Sequence, residues 1–233
     1  MSSGLRAVVF DLDDTLYPER EFVAGGMRAA ARWAAAQAGI GVEIVEAELQ
    51  VSERTGPSGK TFDTWLRRRN LPADWRRDLV HAYRTHRPRI RLFPDAQRAL
   101  ERLGPSYELG LVTEGDSAAQ RAKLTALGVE SLFRAVVILG RDELGHWKPS
   151  PEPFARCLEA MGVLAAEAVY VGDNPRKDFR GARQIGMRTV RVRRPGGIYA
   201  DLEPASADDA ADAELADLDR LEAVLELPRG ERG

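Results

Sequence analysis

Apolar residues, many of them β-branched, run almost unbroken through residues 6–10, 108–112, 135–139, 168–171 and 189–192. Short runs without a polar residue at every second position predict strands buried on both faces of a parallel sheet. Between the last four runs, apolar positions recur at helical spacing over 117–127, 153–161 and 179–185, which gives each crossover one helix. Punctuation agrees with period. Gly128 and Gly162 follow two of these stretches where a left-handed terminating residue is wanted, and Pro151 and Pro153 stand where a helix can begin. The pattern predicts an α/β fold, a Rossmann-like doubly wound parallel sheet.

The first strand is followed by about ninety residues before the second, far more than a normal crossover requires. Helical spacing fills that gap, over 19–38, 42–54, 61–69 and 74–86. An all-helical domain is therefore expected at 18–91, inserted into a core domain made of 1–17 and 92–233. After Pro195, Gly196 and Gly197 the chain turns acidic and Ala-rich: 201–212 reads as a mobile surface segment, and Leu215, Leu218, Leu221 and Leu225 predict a final helix docked on the core.

Composition narrows the function classes. A formal net charge of -2 over 233 residues gives no global attraction to nucleic acid or anionic lipid. No apolar stretch approaches the roughly 20 residues of a membrane span, and no secretory leader pattern precedes the first strand. Cys157 is the only cysteine, so no intrachain disulfide can form, and a cytoplasmic protein is expected. The oligomeric state is not readable from the chain. The inserted region is the basic half: residues 17–92 hold fourteen Lys and Arg against nine Asp and Glu. Arginines such as Arg67, Arg68, Arg69, Arg76, Arg77, Arg84, Arg87, Arg89 and Arg91 read either as a solvated surface or as partial holders of an anionic substrate.

Chemistry concentrates at strand ends. The first strand runs into Asp11, Asp13 and Asp14, like charges whose mutual repulsion a cation would relieve. Thr113 ends the second strand, Lys148 lies in the loop after the third, and Asp173 ends the fourth, with Asp178 five residues on. Ligands of open α/β sheets bind at that edge. The set offers a nucleophile, hydroxyl and ammonium groups for phosphate oxygens, and further acids for a hard metal.

Asp11-x-Asp13-x-Thr15, Thr113, Lys148 and Gly172-Asp173-x4-Asp178 resemble the four ordered motifs of the haloacid-dehalogenase superfamily, over essentially the whole chain from Val8 to Val192. The resemblance implies a phosphatase with a helical cap over its active site, the inserted domain being that cap. It implies that Asp11 attacks phosphorus to form an aspartyl-phosphate and that Asp13 serves as acid and then base. Mg²⁺ would be held by Asp11, the Asp13 backbone carbonyl and Asp173, with Thr113 and Lys148 on phosphate oxygens. Asp178 would orient Lys148 or a metal-bound water. Thr15 reads as a hydroxyl fixing the loop, and Asp14 as a turn or helix-capping acid.

Other positions carry weaker readings. Glu114-Gly115 departs from the Asn-Gly pair frequent after the second-motif Thr, so Glu114 either contacts a substrate hydroxyl or amine or faces solvent. Arg176 and Lys177 read as surface residues, Trp147 as packing beside Lys148, and His81, His86 and His146 as surface or packing histidines. Gly56 to Thr61 resembles the tail of an ATP-binding phosphate loop but lacks the preceding strand and is read as a turn with Lys60 at its end. The expected partner is a small phosphate ester, of a sugar, a nucleotide or glycolate. Three rivals share the fold: a sugar phosphomutase, a 2-haloacid dehalogenase and a non-catalytic binding protein. A dehalogenase has no alkoxide to protonate and needs no Mg²⁺, so Asp13 and Asp173 weigh against it.

Overall fold

The computed structural model describes residues 4–57, 59–140 and 146–226. Its centre is β1 (Ala7–Phe10), whose four side chains are all buried. It is flanked on both edges: Phe10 pairs in register with Leu111 of β2 (Glu108–Glu114) and Val171 of β4 (Ala168–Gly172). β3 (Ala135–Leu139) extends one side, and β5 (Arg188–Val192) followed by β6 (Ala213–Leu215) the other. The order is β3-β2-β1-β4-β5-β6 and every pairing is parallel. All strands therefore point their carboxyl ends the same way, and the loops after β1, β2 and β4 leave the sheet as neighbours.

The chain divides into two compact units, Met1–Glu19 with Ile90–Gly233, and Arg20–Arg89. In the first, α6 (Ser117–Leu127) and α7 (Glu152–Met161) end on Gly128 and Gly162 in the left-handed conformation, and α8 (Arg180–Gln184) completes the β4 to β5 crossover. Apolar side chains of the sheet and of α7, among them Val9, Val137, Phe154, Cys157 and Tyr170, form one buried cluster. The single cysteine lies in it.

Three features of this unit depart from expectation. Helix α5 (Pro94–Leu103) was not anticipated, although Pro94 opens it and Ala96, Ala99, Leu100 and Leu103 form its buried stripe. Leu215 belongs to β6 instead of a terminal helix, and α9 covers only Leu221–Glu226. Residues 201–212 are tied down where a mobile segment was expected: buried Asp209 accepts a hydrogen bond from Arg180 Nη2 at 2.9 Å, and Asp212 accepts from Thr189 Oγ1 at 2.9 Å.

The second unit is helical: most of α1 (Glu19–Ala38), then α2 (Val42–Thr55), α3 (Thr61–Arg69) and α4 (Trp75–Thr85). Ala30, Ala31, Ala34 and Ala35 leave space for Val45, Leu49, Trp65, Leu66 and Leu79 to pack against α1. Trp65 Nε1 donates to Glu48 at 2.9 Å, satisfying a buried indole. Arg69, Arg76 and Arg77 pair with Glu48, Asp63 and Asp78 of the same unit, while Arg67, Arg68, Arg87 and Arg89 are exposed. Lys60 is an exposed residue ahead of α3, and Ser58 of that turn lies outside the described residues. Among the described residues no helix is long and apolar enough to cross a membrane.

Candidate active site

The loop after β1 is built from its own acids. Asp11 N–H donates to Val171 O at 2.9 Å, continuing the sheet one residue past β1. Asp14 takes a positive φ of 53°, which an aspartate tolerates better than most residues. Its two oxygens accept from Glu19 N at 2.9 Å and Ile198 N at 2.8 Å. It thus caps the start of α1 and straps the 198 loop to the turn. Thr15 acts differently from expectation, because its buried hydroxyl has no hydrogen-bond partner among the described residues. What anchors the loop is the Thr15 carbonyl, which accepts from Arg194 Nη2 at 2.9 Å.

Asp11, Lys148, Asp173 and Asp178, spread over three strand-end loops, come together at one buried place. Lys148 Nζ donates to Asp11 Oδ1 at 2.7 Å, to Asp178 Oδ1 at 2.7 Å and to the Tyr170 hydroxyl at 3.0 Å. Burial by itself would lower the ammonium pKa, but Asp11 and Asp178 raise it well above the usual lysine range. Asp178 Oδ2 accepts from the backbone amides of Asp173 at 3.1 Å and Asn174 at 2.8 Å. Both Asp178 oxygens are therefore engaged in holding Lys148 and the β4 loop.

The neighbouring acids are less well satisfied. Burial, and then repulsion from Asp178 and Asp13, pushes the Asp11 carboxyl up to about 7 despite Lys148. Burial, Asp178 and Asp11 also raise Asp173 well above the ordinary range, and no donor among the described residues bonds its carboxylate. Oxygens of Asp11, Asp173 and Asp178 lie within 4.8 Å of one another. Oxygen donors this close, buried and short of counter-charge fit a hard divalent cation.

Asp13 lies outside that cluster. One of its oxygens accepts from Lys123 Nζ at 2.6 Å and from the Tyr17 hydroxyl; the other accepts from Gln120 Nε2 at 3.0 Å. Gln120 Nε2 also donates to Thr113 Oγ1 at 2.5 Å, at the end of β2. Burial, and then Asp13, raises the Tyr17 phenol, so it stays a donor.

A cavity of about 120 Å³ opens among Asp11, Asp13, Glu19, Thr113, Glu114, Lys148, Asp173, Asn174, Lys177, Asp178 and Tyr199. The Glu114 side chain is 7% exposed and accepts from Lys177 Nζ at 2.9 Å, so Glu114 does not face solvent, whereas Lys177 keeps the exposed side chain expected of a surface residue. Burial, then Asp13, pushes the Glu19 carboxyl up to about 7. Trp147 packs on the core cluster and donates to Gly140 O at 2.8 Å. His146 pairs with Glu152, His86 bonds to Tyr83 O at 2.7 Å, and His81 is exposed.

Sequence reasoning missed Tyr17, Glu19, Gln120, Lys123, Tyr170 and Tyr199. For Gln120 and Lys123 a signal existed: they fall in phase with Ala119 and Leu124 on the buried side of α6.

Comparison with known proteins adds an independent line. A protein from Methanopyrus kandleri named glyceraldehyde 3-phosphate phosphatase is 38% identical over 237 residues, covering 97% of each chain. The crystal structure of an HAD phosphatase from Thermococcus onnurineus superposes with a TM-score of 0.63 at 27% identity, covering 98% of this chain and 100% of that one. That of a 2-haloacid dehalogenase from Pseudomonas syringae pv. Tomato DC3000 gives 0.64 at 28% identity, covering 95% and 98%. The model of the family described as haloacid dehalogenase-like hydrolase matches residues 8–192, the span from β1 to the end of β5 that carries every strand-end acid described above. By sequence, by fold and by the side chains gathered at its sheet edge, this chain belongs to the haloacid dehalogenase-like hydrolase family.

Proposed function

We propose that this chain is a Mg²⁺-dependent phosphoric monoester hydrolase in which Asp11 is the nucleophile and Asp13 the general acid and base. The observation that carries this reading is the contrast between the two carboxylates. Asp11 faces Lys148 and the cation-deficient acids, where a phosphoryl group can be drawn in. Asp13 has its own donors and lies on the same cavity, within reach of an ester oxygen bound there. Mg²⁺ held by Asp11, Asp173 and the Asp13 carbonyl would neutralise charge on the phosphate during attack. Thr113 and Lys148 bind its non-bridging oxygens, and Asp178 keeps Lys148 in place.

The likeness to the Methanopyrus kandleri phosphatase and the modest cavity support a small ester, a sugar phosphate before a nucleotide. The unit Arg20–Arg89 would act as the cap that selects the leaving group, and the cytoplasm is the proposed location.

The dehalogenase alternative has one observation in its favour, the likeness to the Pseudomonas syringae structure. Carbon-halogen cleavage, however, releases a halide that needs no proton, and this cavity presents an acid for that role together with the unbonded Asp173 carboxylate. The test is release of inorganic phosphate from sugar, nucleotide and glycolate phosphates with Mg²⁺ and with chelator, beside halide release from 2-chloropropionate. Phosphate release that survives chelation, or halide release in its place, overturns the proposal.

A further inference from the structure

Asp13 is fixed by α6, a helix that the phosphatase reading leaves without a task. Lys123 and Gln120 are 4% and 1% exposed, three residues apart on that helix, and so project from the same side. They reach the two different oxygens of one carboxylate, at 2.6 Å and 3.0 Å. The helix itself is set against the end of β2, because Asp116 caps it by accepting from Ala119 N at 3.2 Å and the Gln120 amide also reaches Thr113 Oγ1 at 2.5 Å. Lys123 Nζ further lies 5.9 Å from the centre of the Tyr17 ring, whose hydroxyl bonds the same Asp13 oxygen. A lysine and an amide side chain have been brought out of water to grip an acid 110 and 107 residues away in the chain. A salt bridge on the surface would have cost less.

We infer that Lys123 and Gln120 are positioning residues for proton transfer, holding the Asp13 carboxyl in one orientation relative to the Thr113 phosphate contact. The inference rests on the phosphatase reading above. In the first step an Asp11 oxygen bonds phosphorus while the phosphorus-ester oxygen bond breaks. The electron pair leaves on that oxygen, which takes the proton of the Asp13 carboxyl. In the second step a water oxygen bonds phosphorus, the bond to Asp11 breaks, and the Asp13 carboxylate takes the water proton. Both acids return to their starting forms. Each transfer requires the carboxyl to be within hydrogen-bond reach of a particular oxygen, and a carboxyl free to rotate would meet that condition only part of the time.

Leaving-group chemistry separates positioning from mere stabilisation. An alkoxide must be protonated as it departs, whereas 4-nitrophenolate is stable without a proton. Lys123→Met and Gln120→Leu should lower kcat/KM for glycerol 3-phosphate by about 10- to 100-fold, and for 4-nitrophenyl phosphate by less than about threefold. An equal fall with both esters, or no fall with either, overturns the inference. Should Lys123→Met fail to fold, as judged by circular dichroism, the same ratio measured on Gln120→Leu decides. Failure of the underlying reading is visible separately, since Asp11→Asn would then release phosphate at the wild-type rate and both ideas would fall together.

Discussion

Two acids that stand two residues apart on one loop are held in opposite ways. Asp11 is 6% exposed among other acids, and the cation it touches, Lys148, is shared with Asp178. Asp13 has a side chain 19% exposed and is gripped by Lys123, Gln120 and Tyr17, all from outside the acid cluster. The first environment is short of positive charge and attracts a cation; the second is complete and fixes direction. Chemical identity at these two positions is the same, so the difference in role comes from which elements surround each side chain.

The comparison predicts that both carboxylates are indispensable, but for different steps. Asp11→Asn and Asp13→Asn should each lower phosphate release by more than about a hundredfold. Only Asp13→Asn should still form a covalent phosphoenzyme from 4-nitrophenyl phosphate, detectable by intact mass. A phosphoenzyme in Asp11→Asn would break the distinction.

Next in size is the support of the Asp11 side. Asp178→Asn weakens the hold on Lys148 and the grip on the Asp173 and Asn174 amides, so Mg²⁺ affinity should fall by about 10- to 100-fold in titration calorimetry. Unchanged affinity would mean that Asp178 contributes nothing to the cation site.

Charge deficiency around Asp11 also has a pH signature. Its carboxyl rises from 3.8 to about 7 on folding without metal, so the folded state favours the protonated form. That contribution is complete below the unfolded value and is lost as pH rises through the folded one. A bound cation needs the carboxylate, so the increase in Tm produced by Mg²⁺ should be larger near pH 8 than near about pH 5. An increment that shrinks toward high pH would contradict the assignment.

A smaller effect sharpens the picture from the backbone. A Cβ at Gly181 of α8 would collide with the carbonyl oxygens of Pro149 and Ser150, next to Lys148. Gly181→Ala should cost about 1–3 kcal/mol in urea unfolding and displace Lys148 enough to lower turnover. Full stability in this variant would show that the loop moves freely. Smallest of all, Arg77→Ala removes an exposed pair with Asp78 and should leave both Tm and turnover unchanged.

Much of the fold was legible along the chain, for a local reason. β3, α1, α3 and α6 begin and end where periodicity and punctuation place them, because burial period, prolines and left-handed glycines act within a few residues. β6 escaped notice because three residues carry no period. Leu215 and Leu218 merely happened to continue the spacing of α9. Helix α5 carried a readable stripe and was overlooked beside the larger insertion.

Asp11, Thr113 and Asp173 could be singled out from sequence because polar residues at the ends of buried strands must emerge at one sheet edge. Lys148 and Asp178, farther along the loops of that edge, could be singled out by the motif spacing they share with the family. Lys123 and Gln120 could not be matched to Asp13 in that way, since polar residues on a helix ordinarily face water. Their phase with Ala119 and Leu124 marks the pair as inward-facing, but only folding shows that α6 brings it against β2 and the β1 loop. The residues by themselves therefore determined most of the elements, the sheet edge and the acids placed there. Tertiary structure alone decided which donors reach which carboxylate, because contacts across more than a hundred residues depend on how whole elements pack and leave no periodic trace in the chain.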